Sequence, residues 1–275
     1  MTTSKVLEGQ TAVVTGASSG IGRAIAEALG EAGAHVFLAA RTAAPMEASA
    51  KKIERAGGRA SIVTADFRDL DQVTGLVDAA VRETGRLDIM INNAGLEYPG
   101  AFLDGDPERW RETFEVNVLA LAVGCQAAVK AMRACEAEGK IVNISSVASQ
   151  RSDSGFYGAT KHAVNVLSAT LRNELEEDSI RVTNVMPGAI ATNFARNFDV
   201  GFKTGVLKMA GIDVEAKEGE RLPDEVLELV SNQVGERFSN PVHVANAVLY
   251  VVTQPVEINI ADITVRPPKA LNMAH

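Results

Sequence analysis

Thr15-Gly16-Ala17-Ser18-Ser19-Gly20-Ile21-Gly22 is the stretch on which the fold turns. It directly follows the β-branched run Thr11–Thr15 and opens the amphipathic segment Arg23–Leu29. A glycine at 16 allows a tight strand-to-helix turn. One at 20 lets a pyrophosphate approach the backbone, and one at 22 lets helix and strand pack closely. The N-terminus of the following helix then offers free N–H groups to phosphate oxygens. Between a first strand and a first helix, this pattern reads as a dinucleotide-binding turn.

Working outward, periods of two and of 3.6 alternate along the chain. Apolar, β-branched runs fall at Thr11–Thr15, His35–Ala39, Ala60–Ala65, Leu87–Ile91, Lys140–Ser145, Ile180–Met186 and Glu257–Val265. Between them lie helical stripes, such as Leu70, Val73, Leu76, Val77, Ala80 and Val81, or Val164, Leu167, Leu171 and Leu175. Strand then helix, repeated, predicts a doubly wound α/β (Rossmann) domain, its seven-stranded parallel sheet covered by helices on both faces. No linker or repeat divides residues 1–275, so a single domain is expected. The long interval after Pro187-Gly188-Ala189-Ile190-Ala191-Thr192 predicts an insertion at about 193–235 that acts as a substrate lid. There Phe194, Phe198 and Phe202 recur every fourth residue, which would put all three on one face of a helix and suits an apolar substrate.

Composition excludes other classes. Of 275 residues, 46% are hydrophobic and 23% charged, with 27 Lys+Arg against 35 Asp+Glu and a formal charge of −8. That is globular composition with no basic run, which argues against nucleic acid. The start MTTSKVLEGQ carries no apolar leader core, and the apolar run Val118–Val129 is short for a bilayer, so a cytoplasmic protein without a membrane partner is expected. Cys125 and Cys135, ten positions apart in one helical stretch, would lie roughly 15 Å apart, too far for a disulfide. His35, His162, His243 and His275 show no metal-ligand spacing, so no metal site is expected.

The second informative stretch is Tyr157-Gly158-Ala159-Thr160-Lys161. Four positions apart on a helix, phenol and ammonium share a face. A free phenol, with a pKa of about 10, is a poor proton carrier at neutral pH. A neighbouring cation favours the phenolate and makes the group usable for proton transfer.

The GxxxGxG spacing, Asn92-Asn93-Ala94-Gly95, and a serine followed by YxxxK together resemble the short-chain dehydrogenase/reductase family from Gly16 to about Arg266. The resemblance implies an oxidoreductase whose Tyr157 is the general acid/base and whose Lys161 tunes it and holds the nicotinamide ribose. It implies Ser146 as the substrate-orienting serine, with Ser145 as the alternative because the loop to Tyr157 is short. It implies Asn117 as the residue that holds a helix kink and completes a proton relay. Cofactor contacts would come from Gly16, Ser18, Ser19, Gly20, Ile21, Gly22, Asp66, Phe67, Asn93, Ala94, Gly95, Tyr157, Lys161, Pro187, Gly188, Ile190 and Thr192. Asp66 would meet the adenine and Thr192 the nicotinamide carboxamide.

The second strand speaks to the cofactor. NAD-binding relatives end it with an acid that accepts from the ribose 2′-hydroxyl. Here Ala40 takes that place and Arg41 follows, and a guanidinium pairs with a 2′-phosphate, so NADP(H) is expected. The expected reaction interconverts a ketone or aldehyde and an alcohol. The rivals are a dinucleotide-binding sensor or scaffold without turnover, a 3-oxoacyl thioester reductase, and a nucleotide-sugar epimerase or dehydratase. Helices Pro107–Cys135 and Phe156–Glu177 are apolar beyond one face, and relatives pair them across a twofold axis, so a homodimer or homotetramer is expected.

Overall fold

β1 (Thr11–Thr15) is buried along its whole length, as are β2 (His35–Ala40), β4 (Ile89–Asn92) and β5 (Gly139–Ile144). Strands covered on both faces need apolar residues at every position, which explains why these runs are continuous rather than alternating. With the edge strands β3 (Arg59–Thr64) and β7 (Asp262–Val265) and with β6 (Ile180–Pro187), they form one parallel sheet in the order β3-β2-β1-β4-β5-β6-β7. The order reverses between β1 and β4, which pair directly, so a crevice opens at their carboxyl ends. The computed structural model describes residues 5–217 and 219–269; the expectations placed on Met1–Ser4 and His275 lie outside the described residues.

Period two within each strand sorts the core into two layers. Val13, Met90 and Ile141 face one side and meet α3 (Leu70–Thr84), α5 (Ala120–Ala134) and α6 (Gly155–Glu174). Val14, Ile91 and Val142 face the other and meet α1 (Gly20–Glu31) and α9 (Pro241–Val252). α2 (Ala44–Arg55) packs beside α1 through Ile53. A third, small cluster gathers Leu207 of α7 (Val200–Met209), Val226 and Val230 of α8 (Asp224–Gln233), and Phe238.

The helix expected over Pro107–Cys135 runs from Pro107 to Ala134, with an irregular turn at the kink implied for Asn117, and two other expectations are corrected below. α4 (Pro107–Phe114) and α5 are joined by one wide π-type turn, Glu115–Leu119, which turns Asn117 fully inward. The last strand is shorter than Glu257–Val265, because side chains take the carbonyls ahead of it. Arg181 Nε donates to Val256 O at 2.7 Å, Thr183 Oγ1 to Ile260 O at 2.6 Å and Arg172 Nη1 to Ala261 O at 2.9 Å. The three phenylalanines do not share one helix. Asn193–Asn197 is a 3₁₀ turn, Phe198 is extended, and Asp199 caps α7 by accepting from Phe202 N at 2.8 Å.

By length and composition Pro107–Ala134 would suffice to cross a bilayer, but half of that apolar stretch is buried, its inner face packed on the sheet.

Between sheet and helices runs a buried polar chain. Asn92 Nδ2 donates to Asn143 Oδ1 at 2.9 Å, Asn143 Nδ2 to Ser168 Oγ at 3.0 Å, and Ser168 Oγ to Val164 O at 2.8 Å. Cys125 sits against both asparagines, and burial pushes its thiol up to about 12. Gly124 closes this chain from the α5 side: a Cβ there would lie 2.5 Å from Asn92 Oδ1 and 3.1 Å from Met90 Cε. Gly124→Ala is therefore expected to lower stability by about 1–3 kcal/mol through overpacking. A denaturant titration with an unchanged m-value would measure it.

Candidate active site

At the switch point, Thr15 and Asn93 lock the two strand ends together. Thr15 Oγ1 accepts from Asn93 N (2.9 Å) and Ala94 N (3.0 Å), and Asn93 Nδ2 donates to Thr15 O (2.8 Å). The turn beyond β1 is thereby set against the loop beyond β4. Gly16 takes φ +69 with Asn93 and Ala94 at its Cα, and Gly20 takes φ +56 against the Thr192 side chain. Neither place has room for a Cβ. Ser19 makes no side-chain cap on α1, which leaves first-turn N–H groups directed at the crevice.

The crevice is a cavity of about 1230 Å³ that extends from Arg41 and Asp66 to Tyr157 and the phenylalanines of the 193–202 segment. Every residue expected to touch the cofactor lines it, from Gly16, Ser18, Ser19, Gly20, Ile21 and Gly22 through Arg41, Asp66, Phe67, Asn93, Ala94 and Gly95 to Pro187, Gly188, Ile190 and Thr192. A dinucleotide fits this lining chemically: N–H groups and arginine for phosphates, small residues for close approach, and Ala40 in place of an acid. Asp66, on the cavity wall, is paired with Arg68, which holds its carboxyl below the usual range. Thr192 Oγ1 accepts from Phe194 N at 3.3 Å and keeps its own proton to donate.

At the far end stand the groups expected to handle protons. Lys161 Nζ donates to Ile144 O at 2.8 Å and lies 5.8 Å from the Tyr157 ring centroid. Burial pulls the lysine down to about 8, opposed by the charge of Glu97. The Tyr157 phenol is raised above its ordinary value, by burial first and by Glu97 second, and its hydrogen bond with Ser146 opposes them. This corrects the expectation of a depressed phenol. Lys161 is turned toward the Ile144 carbonyl, and desolvation of the phenolate outweighs it.

The two serines separate. Ser145 is buried, and its single hydroxyl proton points at Asn165 Oδ1 (2.6 Å), with Lys161 O within reach at 3.1 Å, while Ser146, on the cavity wall, is the one whose hydroxyl acts on the Tyr157 phenol. Asn117 does not reach Lys161 by hydrogen bond. Its amide instead closes both backbone groups of Leu96 (2.9 Å each) and donates to Thr160 Oγ1 at 3.1 Å.

Sequence reasoning missed Glu97, a mostly buried acid on the cavity wall pushed up to about 7 by burial, with Lys161 pulling it down. The available signal was its place just past Asn-Asn-Ala-Gly-Leu at the carboxyl end of a parallel strand. Arg196, half-buried on the 193–197 turn, was missed too; its charge meets those of Arg221 and Arg41.

The fold and this wall define a dinucleotide-binding oxidoreductase of the doubly wound class. The short chain dehydrogenase family model matches residues 10–200, and the chain belongs to that family. An uncharacterized oxidoreductase of Methylorubrum extorquens is 44% identical over 189 residues, 68% of this chain and 75% of the relative. A metagenomic short-chain oxidoreductase solved in complex with NADP is 30% identical with a TM-score of 0.72, over 95% of this chain and 99% of the other. An actinorhodin polyketide ketoreductase variant solved with NADPH is 28% identical with a TM-score of 0.76, over 94% and 96%.

Because the folded-state pKa of Glu97 is raised, its contribution to stability is present below the ordinary carboxylate range and is lost as pH rises toward 7. Glu97→Gln should remove that loss and gain roughly 2–3 kcal/mol over the wild type above about pH 7, with little difference near pH 4. Paired denaturant titrations across that range would reveal a pH-independent difference if the carboxyl were not the cause.

Proposed function

We propose that this protein is an NADP(H)-dependent reductase or dehydrogenase that interconverts a ketone or aldehyde and the corresponding alcohol. One observation carries the reading: the uncapped N-terminus of α1 and the Tyr157–Ser146 pair open onto the same cavity, with Lys161 beneath. A nucleotide-binding sensor has no use for a buried phenol beside a serine at the substrate end.

NADP(H) would supply the hydride chemistry when bound. The chain's own residues bind, orient and handle the proton. Gly16, Gly20 and the first turn of α1 receive the pyrophosphate, and Arg41 the 2′-phosphate. The NADP and NADPH bound by the two similar structures support that choice of cofactor. Ser146 donates to the carbonyl oxygen and orients it. Tyr157, which burial keeps protonated, gives that oxygen its proton during reduction. Lys161, with donors to spare beyond Ile144 O, holds the nicotinamide ribose. Ser145 and Asn165 fix the first turns of α6 from behind. Asn117 acts by position, through Leu96 and Thr160.

The segment 193–235 serves as the substrate lid. Phe194 leans on the Tyr157 ring at 5.5 Å, and Phe198 meets Phe202 at 5.0 Å, an apolar roof that excludes water. We read the protein as cytoplasmic and paired through α5 and α6 in a homodimer or homotetramer. Exposed Leu119, Val166 and Leu167 support that pairing.

Tyr157→Phe keeps the ring and removes the proton, so turnover should fall at least about 100-fold while NADPH binding stays near wild type. Wild-type turnover in the variant would overturn the mechanism. Arg41→Ala should cost NADPH about 2–3 kcal/mol, roughly 30- to 150-fold, and leave NADH binding nearly unchanged. Titration of both cofactors by protein fluorescence measures the split, and an unaltered preference would remove Arg41 from the 2′-phosphate site.

A further inference from the structure

Four acids line the cavity, and three are spent on neighbours. Asp66 pairs with Arg68, Glu112 takes Tyr98 Oη at 2.6 Å and faces Arg68, and Asp153 takes Arg151. Glu97 differs. Among the described residues, no hydrogen bond or ion pair engages its carboxylate, although the side chain is mostly buried. Its backbone is fixed, since Glu97 O accepts from Asn197 Nδ2 of the lid turn at 3.0 Å. Nor is Lys161 its partner: the lysine's charge reaches Glu97, but its ammonium is turned to Ile144 O. A desolvated carboxylate without donors is costly, and such groups in clefts mark places where a ligand supplies the missing partner.

Cations line the cavity too, and those beyond Lys161 are held elsewhere: Arg68 and Arg151 pair with Asp66 and Asp153, Lys203 donates to Arg196 O, and Arg196 meets the charges of Arg221 and Arg41. Glu97, the carboxylate without a partner, acts on Tyr157 and Lys161, and the rings of Phe194, Phe198 and Phe202 line the same cavity. Ring faces attract cations, and most strongly where water is excluded. A neutral hydroxyl would satisfy a lone pair of Glu97 but leave its charge uncompensated; an ammonium group answers both the carboxylate and the rings.

Resting on the carbonyl-reduction reading above, we propose that Glu97 is the specificity-determining residue that receives a cationic ammonium arm of the substrate. The preferred substrate is then an amino ketone or amino alcohol, with an apolar body under the phenylalanines and a positive end at Glu97.

The test pairs two ketones that differ at one atom: a dimethylamino ketone, protonated at neutral pH, and its isostere with CH in place of N–H⁺. With NADPH, the wild type should show kcat/KM at least about tenfold higher for the cationic ketone, and Glu97→Gln should bring that ratio close to one, mainly through KM. Equal kcat/KM in the wild type, or a ratio that survives Glu97→Gln, would overturn the proposal. A second measurement separates it from the reaction itself: calorimetric titration of the wild type and Glu97→Gln, both loaded with NADPH, with butyltrimethylammonium. If neither ketone is turned over, the carbonyl reading fails, yet ammonium binding weakened about tenfold by the substitution still supports the role of Glu97. No ammonium binding, or binding indifferent to the substitution, overturns it.

Discussion

Asn117 carries the constraint on which the site's geometry rests. Its amide is wholly buried, and burying an amide without partners would cost on the order of several kcal/mol. It is satisfied by both backbone groups of Leu96 and by Thr160. One side chain thus ties the wide turn between α4 and α5 to the loop beyond β4 and to the helix turn that carries Tyr157 and Lys161. Gly95 fills the gap this leaves: a Cβ there would stand 3.3 Å from Asn117 Oδ1 and 3.6 Å from Lys161 Nζ. Residue 95 thus packs tightly on Asn117 and at ordinary contact distance from Lys161, and Glu97, two residues on, lines the cavity.

The sheet imposes the rest. With the strands parallel, their carboxyl ends, and the loops that follow, all collect on one edge. β1 delivers the glycine turn, β2 Arg41, β4 the Asn93–Glu97 loop, β5 the serines and β6 the Pro187–Thr192 segment. Two ties join the 193–235 segment to this edge: Arg23 on α1 pairs with Asp224, and Asn197 donates to Glu97 O. Glycine turn, acid and this segment are therefore mechanically joined.

Much of this was legible in the sequence, because it rests on local rules. Glycine at 16, 20 and 22 answers a backbone demand, and the buried strands announce themselves as unbroken apolar runs. The YxxxK pair follows from helix geometry alone. Interruptions by side chains were not legible. Only the family resemblance, through the kink it implies at Asn117, marks an irregularity in Phe114-Glu115-Val116-Asn117-Val118; the residues themselves do not, because the partner that draws Asn117 inward lies 21 residues away at Leu96. The i, i+4, i+8 phenylalanines gave a true apolar surface and a false helix, since Asp199 starts α7 afresh between them. Periodicity cannot tell one helix from two short turns that share a wall. Glu97 escaped because an acid after a strand reads as an ordinary loop residue until its lack of a partner is seen.

The proton chemistry of the cavity follows from a competition that sequence patterns leave undecided. A lysine four residues after a tyrosine suggests a phenol pulled toward ionisation; the folded site does the opposite. Desolvation of the phenolate is the largest influence on Tyr157, and the neighbouring Glu97 charge adds to it. Lys161, itself drawn down to about 8 by burial, spends one donor on Ile144 O and stands over the Tyr157 ring, 5.8 Å from its centroid. The phenol therefore holds its proton through the neutral range, as the proton donor of the proposed carbonyl reduction must. The same balance makes the phenolate, which alcohol oxidation would need, depend on what enters the cavity. A positive group beside Glu97 would compensate the charge that now disfavours the phenolate, and ribose hydroxyls on the free donors of Lys161 would anchor that cation close to the tyrosine. In this protein the acidity of Tyr157 is thus set jointly by the cavity and by its contents.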